Sequence, residues 1–290
     1  MTAPTPTPAP TGAGNWTFTD DRGQLSSAPR RPTRVVAYIQ AGATLLDHGI
    51  TPLGIFGSYH DGDAPDRAKS GLLALDEVAY FGAGESLDPE RLLAAAPDLV
   101  VAVSYGGSLA YGIAPEAAKH LEEQVPLVVL DVGQGRSLDE VRERFAALAA
   151  SLGGTEDPAA TAALDAARER LRTAAAQPDP PGVLALSAAG ADQVHLARPH
   201  AWPDLRALAD LGVRLLDPPP GGGANWSTTG WSEAVSLAPH LALADARSNA
   251  APLDPARVGD ARVIPWNPEL PASRAAHARF FDAVARALAP

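Results

Sequence analysis

The sequence predicts an α/β protein: two Rossmann-like lobes with mostly parallel sheets, joined by one long α-helix, with a ligand cleft between them. Three observations predict it. Short β-branched runs alternate with helical stretches through the first half of the 290 residues. That alternation is the mark of a parallel sheet covered by helices on both faces. The stretch 156–177, "EDPAATAALDAARERLRTAAAQ", keeps Ala160, Leu164, Ala167 and Leu171 at helical spacing. Beyond it the strand–helix alternation starts again. The predicted organisation is a disordered Pro/Thr-rich tether (1–14), an N-terminal α/β lobe (15–155), a linking helix (156–178) and a C-terminal α/β lobe (179–290).

The elements follow in order. "MTAPTPTPAPTGAG" has little to bury and reads as an extended spacer. "WTFTD" alternates like a strand, and "DDRG" turns the chain towards a second one. "RVVAYI", "PLGIFG", "DLVVAVS" and "PLVVLD" are the strands of the first lobe. Between them "GATLLDHG", "DPERLLAAAP" and "APEAAKHLEEQ" are helical, with Pro89 suited to a first turn and Pro97 to a stop. "SLDEVRERFAALAASLGG" opens on Ser137 as N-cap with Glu140 completing a capping box, and its glycines end it. The linking helix, at about 1.5 Å per residue, is roughly 30 Å long; "PDPPG" stops it. In the second lobe "GVLALSA", "QVHLA", "VRLLD", "LALAD" and "ARVIPW" read as strands, and "AWPDLRALADLG", "SEAVSLAPH" and "PASRAAHARFFDAVARAL" as helices.

Composition narrows the function. Hydrophobic residues make up 46% and charged residues 20%, an ordinary globular balance. A net charge of −11 argues against nucleic acid as a partner, since phosphate binding wants a basic face. The absence of cysteine excludes disulfides, thiolate metal sites and cysteine nucleophiles. No apolar run reaches the ~18–20 residues needed to span a bilayer, and the first residues lack the basic and apolar regions of a signal peptide. All five tyrosines fall in the first half and four of five tryptophans in the second.

In this setting "WTFTDDRGQ" followed by "PRRPTRVVAY" resembles the opening of the substrate-binding proteins of iron–siderophore, haem and cobalamin ABC importers. "LDPERLLAAAPDLVVA" resembles that family's most recognisable segment, with Leu87-Asp88-Pro89 in place of its usual asparagine-leucine-glutamate and Ala96 where a lysine is often found. "WSEAVSLAPHLALAD" resembles the matching segment of the second lobe. The match runs through nearly the whole chain in order, but no motif in it names the ligand. The resemblance implies a stiff interlobe helix and small closure on binding. It also implies a non-catalytic protein, expected to be monomeric, whose partners are a ferric siderophore and an ABC importer permease. No intrinsic cofactor and no direct metal ligand are expected; iron comes only within the bound siderophore. A family member should carry a secretion signal, commonly with a lipid-bearing cysteine. The chain is therefore expected either to be a trimmed, surface-tethered extracytoplasmic form or to be a cytoplasmic relative. Cobalamin or haem binding by the same fold, and a cytoplasmic relative acting on or sequestering siderophores, stand as alternatives.

Parallel sheets bind ligands in the loops at their strand carboxyl ends. Those loops nominate Tyr38, Tyr59, His60 and Tyr105 in the first lobe, with Gln40 beside Tyr38. In the second lobe they nominate Arg198, Trp202, Trp226, Trp231 and Arg247. Aromatic faces suit the flat body of a chelate or tetrapyrrole, and arginine suits anionic oxygens. Each has a plainer reading in core packing or surface pairing, and of all of them Trp226 and Trp231, in "GANWSTTGW", are the pair from which at least one ring is expected in the cleft. By motif, Glu90 and Glu233 would dock onto permease arginines; each also suits the first turn of a helix. Haem would need an axial ligand such as Tyr59, His60 or Tyr105. Asp61, Asp63 and Asp66 in "DGDAPD" have calcium-loop spacing without the closing glutamate, and are read as a solvated loop. His195 and His200, five apart, do not make a zinc spacing. "PPPGGG" lacks the lysine and hydroxyl of a phosphate loop, and no nucleophile-elbow pattern occurs.

Overall fold

The chain opens with an antiparallel ribbon, β1 (Trp16–Thr19) and β2 (Leu25–Ala28), paired from Trp16 opposite Ala28 to Thr19 opposite Leu25. The computed structural model describes residues 15–289, so the tether expected over 1–14 lies outside the described residues. Asp20 closes the ribbon by accepting from the amides of Arg22 and Gln24, each at 2.9 Å, and reaches Val129 N at 3.2 Å. A turn residue thus also ties the ribbon to the first sheet.

That sheet is built from β3 (Val35–Tyr38), α1 (Ile39–Asp47), β4 (Gly54–Gly57), β5 (Ala79–Ala83), α2 (Pro89–Ala94), β6 (Leu99–Ser104), α3 (Pro115–Gln124), β7 (Leu127–Asp131) and α4 (Leu138–Ser151). The strand order is β5-β4-β3-β6-β7 and every pairing is parallel. β3, β4 and β6 are buried along their whole length, which is why they read as unbroken apolar runs rather than alternating ones. The order reverses at β3, so the crevice at the ends of β3 and β6 is the topological switch point. The capping box at Ser137 and Glu140 forms as expected. β5, which no sequence signal marked, pairs with β4 through a register shift between Ile55 and Gly57.

α5 (Pro158–Ala175) is the long helix; it buries Ala160, Leu164, Ala167 and Leu171, the stripe expected from periodicity, and also Ala175. The stripe packs into the core of the second lobe. There follow β8 (Val183–Ala188), β9 (Gln193–Ala197), α6 (Pro203–Asp210), β10 (Trp226–Gly230), α7 (Trp231–Ser236), β11 (Leu241–Asp245), β12 (Arg262–Trp266) and α8 (Arg274–Leu288). The order is β10-β9-β8-β11-β12. β8, β11 and β12 are parallel, while β9 runs antiparallel to both of its neighbours. Two expectations are corrected here. "VRLLD" makes only an isolated bridge, Leu215 to Val183. "WSTTG", read as a loop, is β10, because its alternating half-buried face pairs with β9 from Trp226 opposite Ala197 to Gly230 opposite Gln193.

The two lobes repeat one device. Two residues past α2 stands Ala96 and two past α7 stands Ala238, each with φ of 50° and each followed by a proline that begins the turn into a central strand. A left-handed residue terminates the helix by satisfying its last carbonyls, and proline forbids its continuation.

The lobes are stitched together by the segment after β12. Asn267 Nδ2 donates to Ala68 O at 2.5 Å, Gln40 Nε2 to Leu270 O at 3.0 Å, and Ala272 N to Thr44 Oγ1 at 2.9 Å. Arg274 then pairs with Glu156 at the entry to α5. Three of these four pairs join one lobe to the other, and the fourth ties the second lobe to the linking segment.

Candidate functional site

The cleft wall of the first lobe is aromatic. Tyr105 follows β6, and its ring meets that of Tyr111 edge-on with centroids 4.9 Å apart. Tyr111 also meets Tyr38 at 5.7 Å and Tyr59 at 6.3 Å. Asp131, at the end of β7, fixes the Tyr105 loop by accepting from Gly106 N at 3.0 Å and Gly133 N at 2.9 Å. Gly133 is required there: a Cβ would stand 2.5 Å from the carbonyl carbon of Tyr105.

The facing wall is made of tryptophan. Trp202, Trp226 and Trp266 form a triangle with centroid separations of 5.2, 5.7 and 5.9 Å. Trp202 donates to Asn225 O at 3.2 Å, and Trp266 donates to the buried Asp204 at 2.5 Å. Between the walls lies a cavity of about 400 Å³. It is lined by His60, Tyr105 and Tyr111 from one lobe and by Ser187, His195, Trp202, Asn225, Trp226, Arg247, Asn249 and Glu269 from the other. Among its lining groups Tyr105 Oη and Asn225 Oδ1 are buried without a hydrogen-bond partner, as is Gln40 Oε1 just beneath. All three residues line a small space of about 30 Å³ under the cleft floor.

Beneath the cavity lies a buried charge network. Lys69 Nζ is 2.6 Å from Asp61 Oδ1, 3.0 Å from Ser58 Oγ and 3.3 Å from Glu269 Oε1. Arg247 lies 2.8 Å from Glu269 and 2.8 Å from Asp245, the latter held by both Nε and Nη2. Tyr38 donates its hydroxyl to the other oxygen of Glu269. Burial opposes the charge of Arg247, but Asp245 and then Glu269 hold its pKa above the ordinary guanidinium range. Burial, reinforced by the charge of Glu269, pushes Tyr38 and Tyr105 well above the usual phenol range, and Tyr111 up to about 12. These phenols are therefore protonated hydrogen-bonding groups in the neutral pH range.

The expected residues fall into three places. His60, Tyr105, Trp202, Trp226 and Arg247 line the cavity together. Tyr59, 46% exposed, stands at the rim against Tyr111. Tyr38, Arg198 and Trp231 are placed elsewhere, which corrects the sequence reading. Tyr38 is fully buried behind the cleft, spent on Glu269. Arg198 holds the "PPPGGG" loop, with Nε 3.0 Å from Gly223 O and Nη2 2.9 Å from Gly221 O. Trp231 begins α7 and is 7% exposed in the core beyond the second sheet, its indole donating to Gly190 O at 3.3 Å. Trp226 opens β10 and Trp231 follows that strand's last residue; an odd offset along a strand points side chains to opposite faces, and the two rings go to opposite sides.

Sequence reasoning missed Tyr111, Ser187, Asn225, Asn249 and Glu269. Glu269 follows β12 and so obeyed the strand-end rule; "WNPEL" carried the signal. His195 was weighed only as a metal ligand with His200; it lines the cavity, 2.8 Å from Thr228 Oγ1, whereas His200 is exposed. Asp61 is consumed by Lys69, and Asp66 accepts from Ala68 N and, across the lobes, from Ser248 N, each at 2.9 Å. Among the described residues no group of three or more His, Asp or Glu side chains is placed to hold a metal ion. No helix among them is long and apolar enough to cross a membrane.

No protein-family model matches the chain, nor does any curated protein sequence. Solved structures do. DesE, a ferric-siderophore receptor protein from Streptomyces coelicolor, superposes with a TM-score of 0.83 at 27% identity, over 94% of this chain and 97% of that one. This chain has the fold of the ABC-importer substrate-binding proteins for iron–siderophore and haem ligands. The same substrate-binding fold recurs in FhuD from Vibrio cholerae, solved with Fe3+–Desferal bound, with a TM-score of 0.62 at 18% identity over 89% of this chain and 99% of that one. It recurs in a periplasmic heme binding protein from Pseudomonas aeruginosa, with a TM-score of 0.64 at 19% identity over 89% and 93%. In this fold the cleft lies between the lobes, beside the ends of strands of both sheets.

Proposed function

We propose that the protein is a solute-binding protein that captures a ferric siderophore outside the cytoplasm and passes it to an ABC importer. One observation carries this reading: a tyrosine wall and a tryptophan wall face each other across a cavity of about 400 Å³. Aromatic faces offer a large apolar contact area with few rotamers to freeze, which suits the bulky body of a chelate. Trp202, Trp226, Tyr105 and Tyr111 would contact that body, with Tyr59 and His60 at the rim. Asn225, Ser187 and the unpartnered hydroxyl of Tyr105 would meet its oxygens. The phenols are held protonated, so iron is best accommodated already chelated rather than as a bare ion bound by phenolate. The lobes are taken as 15–155 and 179–290, with 156–178 linking them.

Glu90 and Glu233 are proposed to dock on the permease. Each lies in the first turn of a six-residue helix that leads into a central strand of its sheet. Glu90 is 78% exposed and pairs with His120 Nε2 at 2.8 Å; Glu233 is exposed and accepts from Thr229.

The test is a tryptophan-fluorescence titration of the purified protein with ferric hydroxamates, ferric catecholates, haem and cobalamin. Quenching by a ferric siderophore at micromolar concentration or below is expected, since Trp202 and Trp226 line the cavity. Saturable quenching by haem or cobalamin alone would replace the ligand. No quenching by any of the four classes would overturn the reading.

A further inference from the structure

The cleft carries a charge that a search for arginines in the sequence does not reveal. Among the described residues, Arg247 and Glu269 are the only Arg, Lys, Asp or Glu side chains lining it. Arg247 is already committed: three of its hydrogen bonds go to Asp245 and a fourth to Glu269. Glu269 is shared with Lys69, which is itself held by Asp61. The connected network therefore sets two cations, Lys69 and Arg247, against three carboxylates, Asp61, Asp245 and Glu269. All five side chains are at most 10% exposed. One negative charge is left over directly beneath the cavity, where solvent screens it poorly. Arg198, the other arginine near the cleft, keeps its charge but is not among the residues lining the cavity, and its guanidinium donates to the carbonyls of Gly221 and Gly223. The chain as a whole, at −11, adds a field of the same sign.

We infer that the cleft selects ferric complexes of zero or positive net charge and rejects polyanionic ones. Among siderophores this means ferric trihydroxamates, in which three hydroxamate charges cancel Fe(III), rather than ferric tris-catecholates, which keep three negative charges. The inference rests on the siderophore-binding function proposed above. The remaining hydrogen-bonding capacity of the site fits the same class. Neutral chelates offer carbonyl and hydroxamate oxygens as acceptors and amide N–H groups as donors. Tyr105 Oη can donate or accept, and Asn225 Oδ1 accepts, and both are buried and unpartnered.

The experiment compares three ferric complexes by fluorescence titration of the full chain at pH 8. The probes are a linear cationic trihydroxamate with a free amine, the same compound N-acetylated and therefore neutral, and a tris-catecholate. The two hydroxamates should bind within about tenfold of each other, and the tris-catecholate at least about tenfold more weakly, a gap that narrows as salt rises. Glu269→Gln and, separately, Asp61→Asn should each shrink that gap, because each removes the surplus charge. If the tris-catecholate binds as tightly as the hydroxamates, charge selection is wrong while siderophore capture stands. If none of the three binds, the proposed function itself fails. Should both variants misfold, the panel on the parent protein still decides.

Discussion

Tyr38, at the end of the central strand of the first sheet, donates its hydroxyl to Glu269, which follows the last strand of the second. One oxygen of Glu269 takes that bond and the other is shared by Lys69 and Arg247. The carboxylate is thus the point where both lobes and the cleft floor meet. Replacing Tyr38 with Phe removes one donor but leaves both cations in place. The expected cost is about 1–2 kcal/mol of folding stability, measured by urea denaturation. Glu269→Ala strands two buried cations and should cost about 3–5 kcal/mol. Equal costs for the two variants would show that the cations do not depend on Glu269.

Trp226 and Trp231 separate cleanly. Trp226→Ala opens one wall of the cavity and should weaken siderophore binding by about tenfold or more, one buried aromatic contact being worth well over 1 kcal/mol. Trp231→Ala empties a core position and should lower stability by about 3–5 kcal/mol, with affinity nearly unchanged in the folded fraction. Paired titration and thermal melting check both. A Trp231 variant that is stable yet fails to bind would reverse the assignment.

Arg198 anchors a loop rather than a ligand. Arg198→Ala frees the carbonyls of Gly221 and Gly223, so hydrogen exchange over 218–225 should speed up. Affinity should fall by less than about tenfold, and equally for neutral and anionic probes, because no ligand charge is lost. A loss confined to anionic ligands would instead mark Arg198 as a direct contact.

Two buried groups tilt stability with pH in opposite directions. Burial pushes Asp204 up to about 6, against the hydrogen bond from Trp266. Its folded pKa exceeds the unfolded value of about 3.9, so its contribution is full below that value and is lost as pH rises through 6. His277 is pushed down to about 3 by burial, and further by Arg142. It stays neutral when folded but protonates when unfolded, so its contribution is present above about 6.5 and is lost as pH falls towards 3. Between pH 4 and 6 the slopes oppose. Asp204→Asn removes one of them, so the variant should lose stability on acidification from pH 6 to 4 more steeply than the parent. Parallel urea midpoints across that range would refute this.

Much of the fold was legible because it depends on local, repeated signals. β3, β6 and β7 are apolar runs; Ser137 and Glu140 announce a helix start; the stripe from Ala160 to Leu171 sets the buried face of α5. β10 was not legible because glycines and prolines precede it and Ser, Thr and Gly fill it; only pairing with β9 makes it a strand. The site was legible in its residue types and positions along strands, but not in its partners. Whether an arginine is free depends on long-range neighbours. Nothing local to "LALADARSNA" shows that Arg247 will meet Glu269, 22 residues on. Trp226 opens β10 and lines the cavity, whereas Trp231, just past the strand, begins α7 and packs in the core on the other side.

The stitch from Asn267 to Arg274 has a consequence outside the cleft. Lobes tied by these bonds are expected to keep one outline whether or not a ligand is bound. Glu90 and Glu233, the residues proposed to dock, would then hold the same stance in both states. Under the docking proposed above, a permease standing on them would gain no news from their spacing, and would have to learn that a load has arrived by touching the load.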